Sequence, residues 1–406
     1  MIRTSPGFIW LGPAPIREPV FRGSSTRRRR PAIRSLPISR SPLTSWQRDK
    51  RPMVPFPDGE PAKQPTCPGS DPGVVSEARV APGCDRTMLP QAVPQGGKSL
   101  AWSPGSGADP GDSIRRHSRS FSFASRLLPA VQRAAVQRLY AWCRWCDDGV
   151  DCSQTAEQAV NFLDLAAADL RLIRAGRRPT ATESCWLADL VGQYRLPVAA
   201  AEALLLGMRS DLTPAADLSE DDLLQYCFRV AGAVGVLMCP ILGLRDRRFL
   251  PQAAALGMGM QMTNIARDVA EDWNRGRCYL PVAWTSGLRP GESEPAEQPI
   301  RSGVRQILDT ADGYYAAGES GIAALDRRSR LAVRTASRVY HAIGTAIRNR
   351  RFRVWHHRAR VPTWRKLGLF AGAVLAPVNR DPSRLSGAAD QALLTAAELL
   401  RNHGVA

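Results

Sequence analysis

From Leu127 onward, almost every segment of this chain spaces its apolar residues at the 3.6-residue period of an α-helix. None shows the two-residue alternation and hairpin turns of strands. "PAVQRAAVQRLYAWCRWCDDGVD" opens with Pro129, a residue suited to a first helical turn, and continues rich in alanine. "SQTAEQAVNFLDLAAADLRLI" starts with a Ser-x-x-x-Glu and runs on as an amphipathic helix; "LPVAAAEALLLGMRSDL" is another, stopped by Pro214. "SEDDLLQYCFRVAGAVGVLMCPILG" gathers acids in its first turn, where the helix dipole favours them, and "LPQAAALGMGMQMTNIARDVAEDW" again places Pro at the start. A linker rich in Gly, Pro, Ser and Glu at 286–302 precedes further helices to about Arg401. The pattern predicts an all-α fold.

The first 112 residues are of another kind. Residues 1–110 hold 19 of the 32 prolines, include runs such as "STRRRRPAIR", and show neither period. Such a segment cannot bury enough apolar surface to offset its ordering entropy, so disorder is expected for 1–112. One folded domain is expected over 113–406, roughly 290 residues and long enough for a substantial core.

The formal net charge of +18 first suggests nucleic acid or an anionic membrane surface. Its distribution argues against nucleic acid. The tail to residue 110 carries 16 Lys/Arg against 8 Asp/Glu, hence +8, and the other +10 is spread through helical sequence, densest in "RNRRFRVWHHRARVPTWRKL" (348–367). No zinc-finger spacing or RNP-type strand accompanies it. Diphosphate substrates or anionic headgroups account for the excess as well as DNA would. Nine cysteines, an odd number scattered through apolar helices, fit a reducing compartment, and the lone C-x-x-C of Cys143 and Cys146 reads as two buried small hydrophobes.

The chain begins without the apolar h-region of a secretory signal. Its Arg/Ser-rich, acid-poor start leaves two readings open: an organelle transit peptide, with a plastid destination, or an extension upstream of a true start at Met53 or Met88. The longest apolar run, 230–244, is shorter than the ~20 residues of a transmembrane helix. The expectation is a cytoplasmic protein, with peripheral membrane contact.

Two helices carry an Asp-x-x-x-Asp. At 100° per residue, Tyr140, Arg144, Asp147 and Asp151 fall within about 60° of one another, while Asp148 points away. In the second, Gln261, Asn264, Asp268 and Asp272 lie within about 80°, beside an apolar stripe of Ala255, Met258, Met262, Ile265 and Val269. A polar strip bordering a core stripe faces a groove more readily than open water. Like charges at i,i+4 cost a helix only about 0.2–0.5 kcal/mol per pair, so one pair alone would mark a solvated face. Two pairs, each with an arginine beside it and the second with amides in register, suit Mg²⁺ (or Mn²⁺) shared with a diphosphate. Arg144 and Arg267 would clamp the same oxygens.

"HSRSFSFASRLLP", "LYAWCRWCDDGVD", "YCFRVAGAVGVLMCPILG" and "QMTNIARDVAEDWNRGRCYLP" together resemble the phytoene synthase/squalene synthase family, in its order and approximate spacing, from about His117 to Lys366. The resemblance implies an isoprenoid-synthase helical bundle around a central apolar channel, with both Asp motifs at its mouth. It implies head-to-head (1′-1) condensation of two prenyl diphosphates through a cyclopropyl diphosphate; for the phytoene synthases the substrate is geranylgeranyl diphosphate and no NADPH is used. It places Asp147, Asp151, Asp268 and Asp272 on the metal motifs, and Arg144, Gln261, Asn264 and Arg267 on diphosphate-contacting positions. His117, Ser118 and Ser120 fall on the segment that closes over the phosphates, Tyr140 and Tyr226 near the reacting carbons, and Phe121, Val234 and Gly235 on the channel wall. Phe228 departs from the family, where many relatives have Tyr. The small residues of "VAGAVG" would let an aliphatic chain approach the backbone; tight helix packing is the competing reading.

Three alternatives stay open. A squalene, hydroxysqualene or dehydrosqualene synthase would share every motif and use farnesyl diphosphate. A catalytically silent scaffold would be expected to lose carboxylates, and all four are present. A basic helical nucleic-acid binder would show salt-sensitive binding without metal-dependent turnover. The sequence assigns no oligomeric state.

Overall fold

The computed structural model describes residues 119–213, 217–290, 295–355, 358–376 and 387–405. No β-strand occurs among them, and twelve α-helices do. The first six are α1 (Arg119–Ser125), α2 (Ala130–Asp151), α3 (Ala156–Arg174), α4 (Thr182–Tyr194), α5 (Val198–Ser210) and α6 (Glu220–Cys227). They are followed by α7 (Ala233–Ile241), α8 (Leu250–Asn274), α9 (Glu297–Gly321), α10 (Arg327–Asn349), α11 (Thr363–Leu375) and α12 (Gly387–Asn402). The all-α expectation holds. The tail expected over 1–112 lies outside the described residues.

Local signals set most helix ends. At α6 the Ser219 hydroxyl accepts from the Asp222 amide at 3.1 Å while Asp222 accepts from the Ser219 amide at 3.1 Å, a closed capping box. Pro129 sits immediately before α2, and Pro251 in the first turn of α8. At α3 the cap is Thr155, which accepts from the Gln158 amide at 3.2 Å, rather than Ser153. Helix α9 starts at Glu297, inside the stretch expected as linker.

Helix α8 is the hub of the fold. It packs against α7, α9, α10 and α12, and its buried residues run nearly its whole length. Between α6 and α7 the helix widens into one π turn, Phe228–Gly232, which rotates the face that α7 presents relative to α6. Among the described residues, Glu220–Ile241 is the one helix long and apolar enough to cross a membrane, yet 72% of its apolar window is buried against protein. Gly235 explains how closely it packs. A Cβ there would sit 2.5 Å from the Ala253 carbonyl oxygen, so only glycine lets α7 lie this near α8. Cys143 and Cys146 are free and buried in the core, as expected.

Candidate functional site

The C-terminal halves of α2 and α8 carry the two carboxylate pairs. On α2, Tyr140, Arg144 and Asp147 are buried, as their shared helix face requires. Arg144 Nη1 donates to Asp147 Oδ2 at 2.5 Å and its Nη2 pairs with Asp148, which reaches back from the flank of that face. On α8, Gln261, Asn264, Asp268 and Asp272 are all buried despite their polarity. Arg267 grips Asp268 through Nε at 2.8 Å and Nη2 at 2.5 Å, and Asn264 Nδ2 donates to Gln261 Oε1 at 3.4 Å.

Buried polar atoms normally find partners. Here Asp151 Oδ2, Asp272 Oδ1 and Asn264 Oδ1 are buried with none. Burial pushes the Asp151 carboxyl up to about 9, with the Asp147 charge adding and the arginines 277, 144 and 275 opposing. Burial also lifts Asp147, against the pull of Arg144, and lifts Asp272 well above the usual carboxylate range, aided by Asp268. Each pair therefore holds a carboxylate oxygen that burial deprives of water and that no protein donor satisfies. Arg275 and Arg277, on the turn after α8, act electrostatically on Asp151 and on Asp272 alike, so the two pairs border one site.

No three His, Cys, Asp or Glu side chains converge into a closed metal cluster among the described residues. A cation such as Mg²⁺ takes one or two carboxylates and completes its shell with water and substrate phosphate. The orphaned oxygens of Asp151 and Asp272 could serve as donors to such a cation.

Several residues of the site went unmarked in the sequence. The Tyr226 hydroxyl donates to Asp211 Oδ2 at 3.3 Å and the Tyr279 hydroxyl to Asp211 Oδ1 at 2.7 Å. Burial raises Asp211 to about 6, against Arg277 and both hydroxyls. Arg358 donates to Asp268 Oδ2 at 3.0 Å and to Glu271 Oε2 at 3.0 Å, and burial together with Arg267 lowers its pKa to about 10. Tyr340 lies close enough to act electrostatically on both Tyr140 and Arg267. Arg275, Arg277 and Tyr279 stand within "RGRCYLP", a string that already carried the resemblance, and Arg358 within the basic run of 348–367.

A half-open cavity with an almost wholly apolar wall lies farther along the same helices. Val136, Ala231, Gly235, Leu256, Met260 and Ala336 are among its lining residues. Met260 is eight residues from Asp268, so the wall begins about 12 Å along α8 from the carboxylates. Gly235 thus serves both readings, cavity wall and close helix packing. Val234, one residue and 100° farther round α7, is buried but is not among the residues lining this cavity. Phe228 is buried with its ring 4.9 Å from that of His403, a setting that asks for no hydroxyl. His117, Ser118, and the side chains of Ser120 and Phe121 lie outside the described residues.

A helical bundle with buried carboxylate pairs, clustered arginines and an apolar cavity defines a prenyl diphosphate synthase. The sequence profile of the squalene/phytoene synthase family matches residues 114–365, and the chain belongs to that family of head-to-head prenyltransferases. It is 36% identical over 273 residues to the 15-cis-phytoene synthase of Enterobacter agglomerans, covering 63% of this chain and 90% of that one. It is 34% identical over 265 residues to that of Paracoccus sp. (strain N81106 / MBIC 01143), covering 64% and 87%. A solved dehydrosqualene synthase in complex with ligand shares the fold with TM-score 0.59 at 24% identity, over 65% of this chain and 94% of that one. A squalene synthase from Alicyclobacillus acidocaldarius does so with TM-score 0.53 at 24% identity, over 59% and 92%.

Proposed function

We propose that this chain is a 15-cis-phytoene synthase-type enzyme, which joins two geranylgeranyl diphosphates head to head in carotenoid biosynthesis. The observation that carries the reading is the pairing of orphaned buried carboxylate oxygens, on Asp151 and Asp272, with the shared guanidiniums of Arg275 and Arg277. The relatives named phytoene synthase favour the C40 branch over farnesyl diphosphate and squalene-type products.

Asp147, Asp151, Asp268 and Asp272 would hold Mg²⁺, which would supply positive charge to the departing diphosphate. Arg144, Arg267, Arg275, Arg277 and Arg358 hold the diphosphate oxygens and keep the leaving group oriented. Arg144, Arg267 and Arg358 now rest on carboxylates, and a bound diphosphate would offer them more negative charge. Tyr140 and Tyr226 present aromatic faces where positive charge develops on carbon. The apolar cavity holds the prenyl chains and excludes water, which would otherwise trap a carbocation as an alcohol. His117, Ser118, Ser120 and Phe121 close over the substrate, and Val234 supports the wall from behind Gly235.

The reaction ends with proton loss, without NADPH. The catalytic domain runs over 113–406, and the enzyme works in the cytoplasm, touching membrane to release its product. A plastid destination finds no support in these bacterial relatives.

The test is product identification. Purified enzyme with Mg²⁺ is given geranylgeranyl or farnesyl diphosphate, with and without NADPH. A C40 hydrocarbon formed without NADPH, and lost in Asp268→Ala, is the expected result; a C30 product would move the chain to the squalene or dehydrosqualene branch. No product from either would leave a scaffold.

A further inference from the structure

Helix α11 breaks the rule the other helices obey. Among the described residues eight large apolar side chains are exposed, and four of them fall on this one helix: Trp364 (74%), Leu367 (53%), Val374 (55%) and Leu375 (83%). With 100° between residues, these four and the exposed Gly368 and Ala371 lie within about 120° of one another, and no charged residue shares that face. An exposed apolar face this continuous marks a contact surface rather than scattered surface leucines.

The charge around it says which contact. From Arg327 to Ala376 the chain holds twelve Arg and one Lys and not a single Asp or Glu. Arg360 stands exposed just before α11, and Arg365 borders its apolar face. A protein partner would need its own acidic, apolar groove; an anionic bilayer offers both chemistries at once. An apolar face with flanking cations and a tryptophan is the pattern of a helix lying in the membrane interface.

The position within the fold agrees. Helix α11 packs along α10, where Arg334 Nη1 donates to the Ala376 carbonyl at 3.1 Å, and Phe370 meets Phe123 of α1 edge-on at 6.2 Å. On its other side α10 contributes Ala332, Val333 and Ala336 to the wall of the apolar cavity, to which Ala124 and Ser125 of α1 also belong. Two helices, α10 and α11 itself, stand between the cavity and the exposed face, an axis-to-axis spacing of roughly 10 Å separating the pair.

We infer that α11 is the surface by which this enzyme docks on an anionic lipid bilayer, with Trp364, Leu367, Val374 and Leu375 inserted below the headgroups and Arg360 and Arg365 at their level. This deepens the proposed membrane release and rests on that reading for its purpose, not for its geometry. Docked this way, the cavity lies two helix layers from a solvent for a long hydrocarbon.

Flotation of the full chain with vesicles tests it, in the absence of substrate so that catalysis plays no part. Vesicles of phosphatidylcholine alone are compared with vesicles containing phosphatidylglycerol. Binding to the anionic vesicles is expected, and the triple variant Trp364→Ser, Leu367→Ser, Leu375→Ser is expected to lower it about tenfold or more. Arg360→Gln with Arg365→Gln is expected to weaken it several-fold on anionic vesicles and hardly at all on phosphatidylcholine. Arg365 is half-buried and the other positions are exposed, so circular dichroism and turnover in detergent solution should match the parent chain. Failure of the parent chain to float, or equal flotation of the triple variant, would overturn the proposal. So would sedimentation showing a dimer that the triple variant dissolves, since the face would then belong to a second copy.

Discussion

The ring of Tyr226 stacks on that of Tyr279, with centroids 4.7 Å apart and planes 17° from parallel. Both hydroxyls point at Asp211, so this pair sets how the Tyr226 face is presented to the site. Tyr279→Phe keeps the stack and loses one hydrogen bond to a charged group, at a cost of about 1.5–3 kcal/mol. Tyr279→Ala removes the ring as well and should cost about 3–5 kcal/mol. Urea unfolding of the two variants distinguishes them; equal losses would mean the stack contributes nothing.

Arg144 lies between Asp147 and Asp148 with little solvent around it. Arg144→Gln leaves a buried carboxylate without its cation and should destabilise the fold by about 3 kcal/mol. Adding Asp147→Asn should restore much of that stability while turnover stays lost. A double variant no more stable than the single one would contradict this coupling.

Gly235 faces the Ala253 carbonyl with no room for a side chain. Gly235→Ala should force α7 and α8 apart and cost about 1–3 kcal/mol. Thermal melting would show the loss, and a variant melting with the parent chain would show that the helices separate freely.

The carboxylate pairs make stability depend on pH in a particular direction. Asp151 sits near 9 in the folded chain against an ordinary value near 4, and Asp147 is raised as well. Between those limits the folded state binds more protons than the unfolded one, so rising pH lowers the stability of the metal-free protein. Mg²⁺ requires the ionised carboxylates, so the melting shift it produces should be larger near pH 8.5 than near pH 6. Asp151→Asn should flatten the metal-free slope. A metal-free protein that grows more stable from pH 6 to 9 would contradict the assignment.

What the sequence disclosed was whatever is written locally along one helix. Gln261, Asn264, Asp268 and Asp272 could be placed on one buried strip because their spacing and the neighbouring apolar stripe are properties of a single α-helix. Arg358 could not, because it reaches Asp268 across 90 residues of chain and looks in sequence like every other arginine of its run. Asp211 was hidden for the same reason: only folding brings it beneath Tyr226 and Tyr279. At α3 two capping residues stand close together, and propensity alone does not choose Thr155 over Ser153. Val234 and Gly235 are neighbours in sequence, yet only the packing of α7 on α8 decides which one meets the cavity.

The central claim is that the two carboxylate pairs hold Mg²⁺ for a prenyl diphosphate. Calorimetric titration with geranylgeranyl thiodiphosphate, an analogue slow to ionise, tests it most directly. The account predicts that Mg²⁺ tightens binding about tenfold or more in the parent chain and not in Asp272→Asn. Equal affinity with and without Mg²⁺, or an undiminished metal effect in Asp272→Asn, would contradict it.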